Sequence, residues 1–277
     1  MRHLMVFTNL DGSLLDSVTY SWEPARPALD LLRGLAVPIV LVSSKTRMEL
    51  EQIRSRLELE EPFVIENGGA VYVPERPAGS AARLDAPRGR YQAVEFGTPY
   101  ATLRRALRDI SAEAGVEVRG FGDMAVEEIA DRTGLSSETA RMAKQREYDE
   151  PFVIQGSTKS TPHVLKAIKG RGLRWTRGGR FFHLTGHNDK GAACRFLLDW
   201  YLREWLSGLK RRDVLTIGIG DSLSDVPLLR QVDYPVLVRR PDGTYDAAVE
   251  VPNLVYAHGS GPVGWSMAVM NVLRTIG

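Results

Sequence analysis

The chain has 277 residues, of which 43% are hydrophobic and 25% are charged, and this composition excludes wholesale disorder and a collagen-like fibre. Single cores stop growing at about 250 to 300 residues, so two domains are expected. The 36 basic and 34 acidic residues leave a net charge of +2 and, apart from short groups such as residues 210–212, are scattered, which argues against a nucleic-acid or membrane-surface binder.

The cysteine content and the lengths of the apolar runs indicate where in the cell the protein is expected. Cys194 is the only cysteine, which excludes an intramolecular disulfide and a cysteine-based zinc site, and a cytoplasmic location is expected. The first residues reach the polar Thr8 and Asn9 after too few apolar positions for a signal peptide. The longest apolar run, residues 35–42, contains Pro38 and is far shorter than the roughly 20 residues that span a bilayer. We therefore expect no membrane association.

The first 65 residues predict a βαβ unit followed by a helix and a strand. Residues 4–7 and 38–42 are short, continuous apolar runs that end in polar residues, as is typical of parallel strands buried on both faces. Between them, residues 22–34 carry apolar side chains at helical spacing. Residues 46–59 predict an amphipathic helix, and residues 63–65 predict a third short strand.

A change of composition marks a domain boundary. Residues 74–97 are rich in Pro, Gly, Ala and Arg, and beyond them short strands alternate with helices, which is typical of an α+β domain. The predicted helices are 99–114, 125–133, 136–146 and 161–169, and the predicted strands are 116–119, 152–155, 173–175 and 180–184.

The first pattern returns after this segment. A helix from residue 190 to about 206 is followed by the continuous apolar strand 214–219. We therefore predict an α/β fold in which a doubly wound, parallel-sheet core, residues 1–85 and 187–277, carries an inserted α+β domain, residues 86–186.

Four polar loops follow apolar strands or a strand-to-helix junction, namely residues 8–12, 43–46, 188–191 and 220–225. Each alone has an ordinary explanation as a turn, a helix N-cap or a solvated charge. In an open parallel sheet, however, ligands bind outside the carboxyl ends of the strands. All four loops in that position indicate a single site.

The motifs in these loops resemble those of the haloacid dehalogenase (HAD) superfamily of phosphatases: an acidic DxDG[TS] loop, a Ser or Thr after the second strand, a Lys, and a late GDxxxD. More closely, the chain resembles the mannosyl-3-phosphoglycerate phosphatases. The likeness rests on FTNLDGSLLD (7–16), Tyr20 with Trp22, SSKT (43–46), ENGGA (66–70), REYDEPF (146–152), GGRFFHL (178–184), GDSLSD (220–225) and GPVGW (261–265). The resemblance implies a HAD-like core, a cap domain, Mg²⁺ as cofactor and a small anionic phosphosugar as substrate.

The chemistry of phosphoryl transfer fits these residue types. The transfer requires a neutralised phosphate and in-line oxygens, and Mg²⁺ prefers carboxylate and carbonyl oxygens. Asp221 and Asp225 offer such oxygens, directly or through water, while Lys190 and Ser43 offer donors to the phosphate. By resemblance, position 9 is the nucleophile and a metal ligand. Asp11 is the general acid and base and binds metal through its main-chain carbonyl, and Asp221 completes the metal site.

Further residues are candidates for the rest of the substrate. A glycosylated phosphoglycerate carries a carboxylate and hydroxyls, for which basic forks and polar groups are suitable partners. The candidates are Ser44, Lys45, Arg47, Asn67, Gly68 and Gly69 beside the core loops, and Glu147, Tyr148 and Arg180 in the cap, with Arg146, Glu150, Gly178 and Gly179 near them. The ordinary alternative for the charged members is a solvated charge or an internal ion pair.

Two positions depart from the family pattern. Position 9 is Asn where the family has Asp, and a neutral amide is a poor nucleophile that also weakens the metal site. Position 224 is Ser where the family usually has Asn. Asn9 has three competing explanations: an engineered change, a natural loss of activity or a sequence error. The functional alternatives are a phosphatase for another sugar phosphate and a non-catalytic phosphosugar-binding pseudo-phosphatase.

Other signals are weaker. His183 and His187 have no further metal-ligating residue close in sequence, so a zinc centre is not favoured. The glycines at 218 and 220 begin a dinucleotide fingerprint, but Leu223 stands where the third glycine belongs. Cys194 is expected to be a small core residue, and Trp22 and Trp265 are expected to pack in the core or at its rim, the alternative being a platform for a sugar ring.

Overall fold

The computed structural model describes residues 3–75, 91–155, 160–178, 181–206 and 208–276. Its strands are β1 (His3–Thr8), β2 (Ile39–Leu41), β3 (Phe63–Ile65), β4 (Ala70–Pro74), β5 (Tyr91–Glu95), β6 (Glu117–Gly120), β7 (Asp149–Gln155), β8 (Arg174–Gly178), β9 (Phe181–Thr185), β10 (Val214–Gly220), β11 (Tyr234–Arg239) and β12 (Val255–Ser260). Its helices are α1 (Arg26–Gly34), α2 (Arg47–Arg56), α3 (Tyr100–Ala114), α4 (Val126–Thr133), α5 (Ser137–Ala143), α6 (Thr161–Gly170), α7 (Lys190–Glu204), α8 (Val226–Leu229) and α9 (Gly261–Ile276). Within these ranges, each helix is too short or too polar to cross a membrane.

A parallel sheet carries the two ends of the chain. Its order is β12-β11-β10-β1-β2, so β1 lies in the middle and pairs with β10 on one side and β2 on the other. Helices α1 and α9 cover one face, and helices α7 and α8 cover the other. Strand β10 is buried along its whole length, which explains its continuous apolar sequence. The predicted doubly wound parallel sheet is therefore confirmed.

A second, antiparallel sheet follows the first along the chain, in the order β3-β4-β5. A parallel bridge between Val42 and Val64 joins its first strand to the end of β2. Strand β5 lies on the inserted side of the predicted boundary between residues 85 and 86, yet it pairs with β4 along five residues. The boundary position itself is outside the described residues.

A third sheet is formed entirely by residues 117–185, in the antiparallel order β6-β7-β9-β8. Helices α3 and α6 pack on one face of it around Leu107, Phe152 and Ile168. Helices α4 and α5 cover part of the other face around Phe181. This arrangement of short strands and helices is the α+β pattern that the sequence predicts for the insert.

Several details differ from the sequence predictions. The helix expected at 22–34 begins as a short 3-10 turn, Glu23–Ala25, because Pro24 and Pro27 favour a helix start but lack the N–H that a helix interior needs. The helix expected at 46–59 ends at Arg56, since Glu58 has a left-handed backbone (φ +53°). Strands β4, β5, β11 and β12 and helices α8 and α9 had no predicted counterpart.

Of the three residues expected in the core or at its rim, Cys194 and Trp265 are buried and Trp22 is partly buried. Cys194 lies in the core between α7 and the parallel sheet. Trp265 is fully buried on α9, and its indole N–H donates to Thr8 Oγ1 at 2.9 Å. Trp22 packs against the same core as Trp265 and lies under the guanidinium of Arg56.

Candidate active site

The candidate site lies at the carboxyl ends of β10, β1 and β2, which are neighbours in the parallel sheet. The main-chain N–H of Asn9 donates to Ile219 at 2.8 Å, so the loop after β1 stays attached to β10. The N–H of Val42 donates to Thr8 at 2.8 Å, which holds the loop after β2 on the other side. Three of the polar loops that the sequence singles out therefore meet at one edge.

Asn9 is at the centre of this edge. Its amide nitrogen donates to Asp221 Oδ1 at 2.9 Å and to the main-chain oxygen of Asp11 at 3.2 Å. Ser13 also donates to Asp221 Oδ1, at 3.2 Å. Gly12 permits this approach, because a Cβ there would lie 2.7 Å from Asp221 Oδ2 and the backbone has a φ of +75°. Residues from both ends of the chain thus converge on one amide.

Lys190 lies on the other side of Asn9. Its ammonium is buried and lies 2.7 Å from Asp225 Oδ1 and 3.4 Å from Asn9 Oδ1. Asp189 fixes this position by capping α7, since its carboxylate accepts the N–H groups of Gly191 and Ala192. The cap places Lys190 in the first turn of the helix, directed at the site.

Asp225 holds this part of the site together. It is fully buried, and its second oxygen accepts the main-chain N–H groups of Asp221 and Ser222 at 3.0 and 3.2 Å. Because both of its oxygens are engaged, its contacts are those of a group that positions Lys190 and Asp221. Ser224, the unusual residue of this loop, forms a 2.9 Å hydrogen bond with Ser222.

Asp221 has a perturbed pKa. Burial and, to a smaller extent, the neighbouring Asp225 carboxylate together raise the pKa of Asp221 to about 6, against hydrogen bonds from Asn9 and Ser13 and the charge of Lys190. A nearby cation would stabilise the ionised form of Asp221.

The donor set fits Mg²⁺ with one ligand altered. Two oxygens, Asp221 Oδ1 and the Asp11 carbonyl, lie 2.9 and 3.2 Å from the same nitrogen of Asn9, so they converge on one point. If the Asn9 amide turned so that Oδ1 replaced its nitrogen, three oxygens would face this point. Hard cations such as Mg²⁺ prefer oxygen ligands. Within the described ranges, no group of three or more His, Cys, Asp or Glu side chains is placed to hold a metal. The amide at position 9 therefore leaves the site one anionic ligand short.

Asp11 and Lys45 form an ion pair beside Asn9. Lys45 Nζ lies 3.1 Å from Asp11 Oδ2 and 3.7 Å from Glu49 Oε1. Burial alone would lower the pKa of Lys45, but the charges of Asp11 and Glu49 outweigh it and the pKa is raised. Lys45, a candidate anion ligand from the sequence, is thus engaged in an internal ion pair.

Ser43 and Ser44 follow β2 in the loop beside Asn9. Ser43 is fully buried, and its hydroxyl accepts the main-chain N–H of Lys45 at 3.2 Å, so its own proton remains available for an acceptor. The main-chain oxygen of Ser44 accepts a hydrogen bond from Arg146 at 2.9 Å. The loop is therefore fixed from within and from the inserted segment.

Residues 66–69 form a second loop beside this one. The N–H of Asn67 donates to Ser43 at 2.8 Å, and its backbone is left-handed (φ +59°). Gly68 and Gly69 are required by close packing, because a Cβ would lie 2.3 Å from the Asp189 backbone or 2.5 Å from Tyr148, respectively. These candidates are accounted for by the path of the backbone.

Glu66 was not singled out in its own right by the sequence and has the clearest structural role in this loop. It is fully buried, and its two oxygens accept the main-chain N–H groups of Glu147 and Tyr148 at 2.9 and 2.7 Å. Asn188 adds a bridge, since its amide donates to the carbonyls of Glu66 and Tyr148. The sequence feature that could have identified Glu66 is its position directly after the continuous apolar run of residues 63–65.

The remaining candidates are partly explained by ion pairs. The carboxylate of Glu147 accepts hydrogen bonds from Arg47, at 3.0 Å, and from Tyr72. Arg47 also pairs with Glu51 at 3.0 Å. Tyr148 is buried beside the loop of Glu66. Arg180 and Gly179 lie outside the described residues.

His183 and His187 have different surroundings. His183 Nδ1 lies 2.8 Å from Asp149 Oδ2, on the third sheet, and this carboxylate is also 3.6 Å from Arg146. His187 is exposed in the loop before α7. His183 therefore has a carboxylate partner within the insert.

Relatives of known function support the likeness seen in the motifs. The chain is 42% identical over 273 residues to the glucosyl-3-phosphoglycerate/mannosyl-3-phosphoglycerate phosphatase of Methanococcoides burtonii, and the match covers 99% of this chain and 98% of that protein. It is 32% identical over 237 residues to the mannosyl-3-phosphoglycerate phosphatase of Pyrococcus furiosus, covering 84% and 90%. A comparison with protein-family models gave no match.

Solved structures show the same fold. A haloacid dehalogenase-like hydrolase from Bacteroides thetaiotaomicron superposes with a TM-score of 0.65 at 14% identity, covering 99% of this chain and 100% of that one. A structure from Thermoplasma acidophilum gives a TM-score of 0.66 at 17% identity, with 99% and 98% coverage. The predicted HAD-like α/β fold is thereby confirmed. The sequence relatives show that the chain belongs to the family of glucosyl-3-phosphoglycerate and mannosyl-3-phosphoglycerate phosphatases and is, by family, a phosphatase.

Proposed function

We propose that the chain is a Mg²⁺-dependent phosphomonoester hydrolase for glycosylated 3-phosphoglycerate whose turnover is impaired by Asn9. The observation that carries the proposal is the convergence of Asp221, the Asp11 carbonyl and Lys190 on the side chain of residue 9. The full-length similarity to phosphatases of this specificity supports the substrate class. A cytoplasmic location belongs to the same proposal.

Each residue has a part in the proposed reaction. Lys190, fixed by Asp225, neutralises the phosphate together with the hydroxyl of Ser43. Asp11 gives a proton to the leaving oxygen and later takes one from water. Asp221, the Asp11 carbonyl and residue 9 would hold Mg²⁺, which would supply further charge neutralisation of the transferring group.

Asn9 affects this scheme at the first step. An Asp at this position attacks phosphorus and forms a phosphorylated carboxylate, which water then hydrolyses. The neutral amide oxygen is a poor nucleophile, and Lys190 donates to it at 3.4 Å. The proposal therefore separates binding, which the remaining residues retain, from turnover, which the amide obstructs.

We assign the substrate-covering role to the insert. Residues 86–186 are proposed as a cap over a core made of residues 1–85 and 187–277. The contacts that support a cap are those between the loops beside Asn9 and residues 142–148. A cap in this place excludes water during transfer.

The first test restores the carboxylate. Asn9→Asp is expected to raise the Mg²⁺-dependent release of phosphate from glucosyl- and mannosyl-3-phosphoglycerate by at least about 10³-fold, because a covalent step becomes available. Phosphate release is measured with Mg²⁺ and with EDTA. Asn271→Asp, the same exchange at an exposed position of α9, is the control and leaves the rate unchanged. Failure of Asn9→Asp to hydrolyse any member of a broad sugar-phosphate panel would refute the catalytic proposal.

A second function is supported by Asn9 itself. Its amide satisfies Asp221 and the Asp11 carbonyl without a cation, which suits a protein that binds phosphosugars and does not cleave them. Calorimetric titration of the unaltered chain and of Asn9→Asp with a glycosylated 3-phosphoglycerate separates the two functions. Binding by both without turnover by either indicates a binding protein, whereas turnover by Asn9→Asp alone indicates an altered enzyme.

A further inference from the structure

Lys45 has surroundings that differ from those of a residue waiting for an anion. Its side chain is only 10% exposed, and its ammonium lies between two carboxylates, at 3.1 Å from Asp11 and 3.7 Å from Glu49. The ring of Tyr20 covers it, with the ring centre 5.1 Å from Nζ. An ammonium in such a place is already paired and largely shielded from solvent.

Glu49 fixes one end of this arrangement. Its Oε2 accepts the main-chain N–H of Thr46 at 2.9 Å, as part of the capping box of α2. Its other oxygen faces Lys45. Because Glu49 is buried and tied to the start of a helix, Lys45 is anchored to a rigid element at one end and contacts Asp11 at the other.

The two oxygens of Asp11 are therefore not equivalent. Oδ2 is held by Lys45, whereas Oδ1 is shielded from solvent and accepts no hydrogen bond from the described residues. A carboxyl group that serves as acid and then as base must present one particular oxygen to the reacting atom. Holding one oxygen by an ion pair fixes the direction of the other.

We propose that Lys45 is a positioning residue that holds the Asp11 carboxyl group by Oδ2, so that this group keeps one orientation while it gives its proton to the oxygen of the leaving group. Lys45 itself does not touch the substrate. The inference rests on the proposed function, because Asp11 needs a direction only if the site transfers phosphate. It assigns to the Lys of the SSKT segment a role in the departure of the alcohol and none in the affinity for phosphate.

Leaving groups of different quality separate these roles. An alkyl phosphate such as glycerol 2-phosphate needs a proton on its departing oxygen, whereas p-nitrophenyl phosphate releases a stable anion without one. The ratio kcat/KM reports the steps up to this departure, so the later hydrolysis of the phosphorylated carboxylate does not obscure it.

The experiment is performed in the Asn9→Asp background. Adding Lys45→Met is expected to lower kcat/KM for glycerol 2-phosphate by roughly 10²-fold and that for p-nitrophenyl phosphate by less than about threefold. Lys45→Arg keeps a charged donor and restores most of the alkyl phosphate rate. Lys166→Met, the same exchange at an exposed position of α6, changes neither rate.

The outcomes are distinct. Equal losses for both substrates, or no loss for either, overturn the role of Lys45. An Asn9→Asp parent that hydrolyses no phosphomonoester instead refutes the proposed function. If the methionine variant does not fold, or if the aryl phosphate is not turned over, a crystal structure of Lys45→Gln tests whether Lys45 holds the Asp11 carboxyl group. Glutamine retains most of the side-chain volume. Asp11 is expected to leave its position there, and an unchanged Asp11 carboxylate overturns the inference.

Discussion

At position 9, a single side-chain group sets the charge of the site. The amide nitrogen donates to Asp221 and to the carbonyl of Asp11, so two acceptors share one donor group. A carboxylate oxygen in the same place has no proton to share, and the three oxygens would repel one another unless a cation lay between them. The Asn9 amide therefore satisfies both acceptors without a cation, whereas an Asp at position 9 would require a cation between the oxygens.

Glu66 illustrates the opposite situation, a carboxyl group that the fold protonates. Burial raises its pKa to about 8, against the charge of Arg146 and the hydrogen bonds from residues 147 and 148. The unfolded chain releases this proton near the ordinary pKa of 4.5. Stability from Glu66 is thus complete below about pH 4.5 and is lost as the pH rises through about 8.

The pH dependence of unfolding tests this assignment. The Tm of the unaltered chain is expected to fall as the pH rises from 5 to about 8, and Glu66→Gln, which cannot ionise, is expected to reduce that fall by roughly 5 °C. Scanning calorimetry at several pH values measures both. Glu60→Gln, at an exposed position, serves as the control and keeps the full pH dependence. Parallel curves for the unaltered chain and Glu66→Gln contradict the raised pKa.

At the scale of elements, α2 links the site to the insert. Thr46 caps the helix by accepting the N–H of Glu49 at 3.3 Å, and its hydroxyl lies 3.0 Å from the carbonyl of Met142 at the end of α5. One side chain thus stabilises a helix start and a contact between two segments about 100 residues apart in sequence. Its loss is expected to cost more than the loss of an ordinary cap.

A comparison of two caps measures that difference. Thr46→Ala is expected to lower the free energy of unfolding by about 2 kcal/mol, since the cap contributes about 1 kcal/mol and the buried hydrogen bond to Met142 about as much. Ser136→Ala removes the cap of α5 and an exposed hydrogen bond to the Thr139 hydroxyl, both at the surface, and is expected to cost about 1 kcal/mol. Urea denaturation measures both values. Equal costs for the two substitutions contradict a stabilising contact between Thr46 and Met142.

The sequence predicts elements and site residues to different degrees. Strands β1, β2 and β10 were predictable because parallel strands buried on both faces require continuous apolar runs, and their polar ends then indicated Asn9, Asp11 and Asp221. The ion pair between Lys45 and Asp11 was not predictable, because the two residues lie in different loops that only the folded chain brings together. The role of Glu66 as an acceptor of main-chain N–H groups was not predictable for the same reason, because only the folded chain brings residues 147 and 148 close to it.

For the whole molecule, the decisive contacts are those between the loops at the sheet edge and the segment before β7. Thr46 reaches Met142, Glu66 holds two main-chain N–H groups, and Ser44 accepts a hydrogen bond from Arg146. These contacts attach the insert to the loops that also surround Asn9. A movement of the proposed cap relative to these loops would therefore have to break these hydrogen bonds.

Arg146 is the member of that group whose removal is most informative. Its guanidinium is buried and donates to the carbonyls of Ala143 and Ser44 at 2.8 and 2.9 Å, and it lies 3.6 Å from the buried carboxylate of Asp149. Arg146→Met is expected to destabilise the fold by about 3 kcal/mol, because it leaves buried acceptors and Asp149 without their charged partner. Urea denaturation measures the loss.

The control and a functional readout distinguish attachment from general packing. Arg141→Met, at an exposed position of α5, is expected to change stability by less than about 0.5 kcal/mol. In the Asn9→Asp background, Arg146→Met is also expected to raise KM for a glycosylated 3-phosphoglycerate more than for p-nitrophenyl phosphate, because only the larger substrate extends from the site toward the insert. A stability loss as small as that of Arg141→Met contradicts the assigned contacts. Equal changes in KM show instead that the segment before β7 acts on the core loops alone, without a part in binding the glycosyl group.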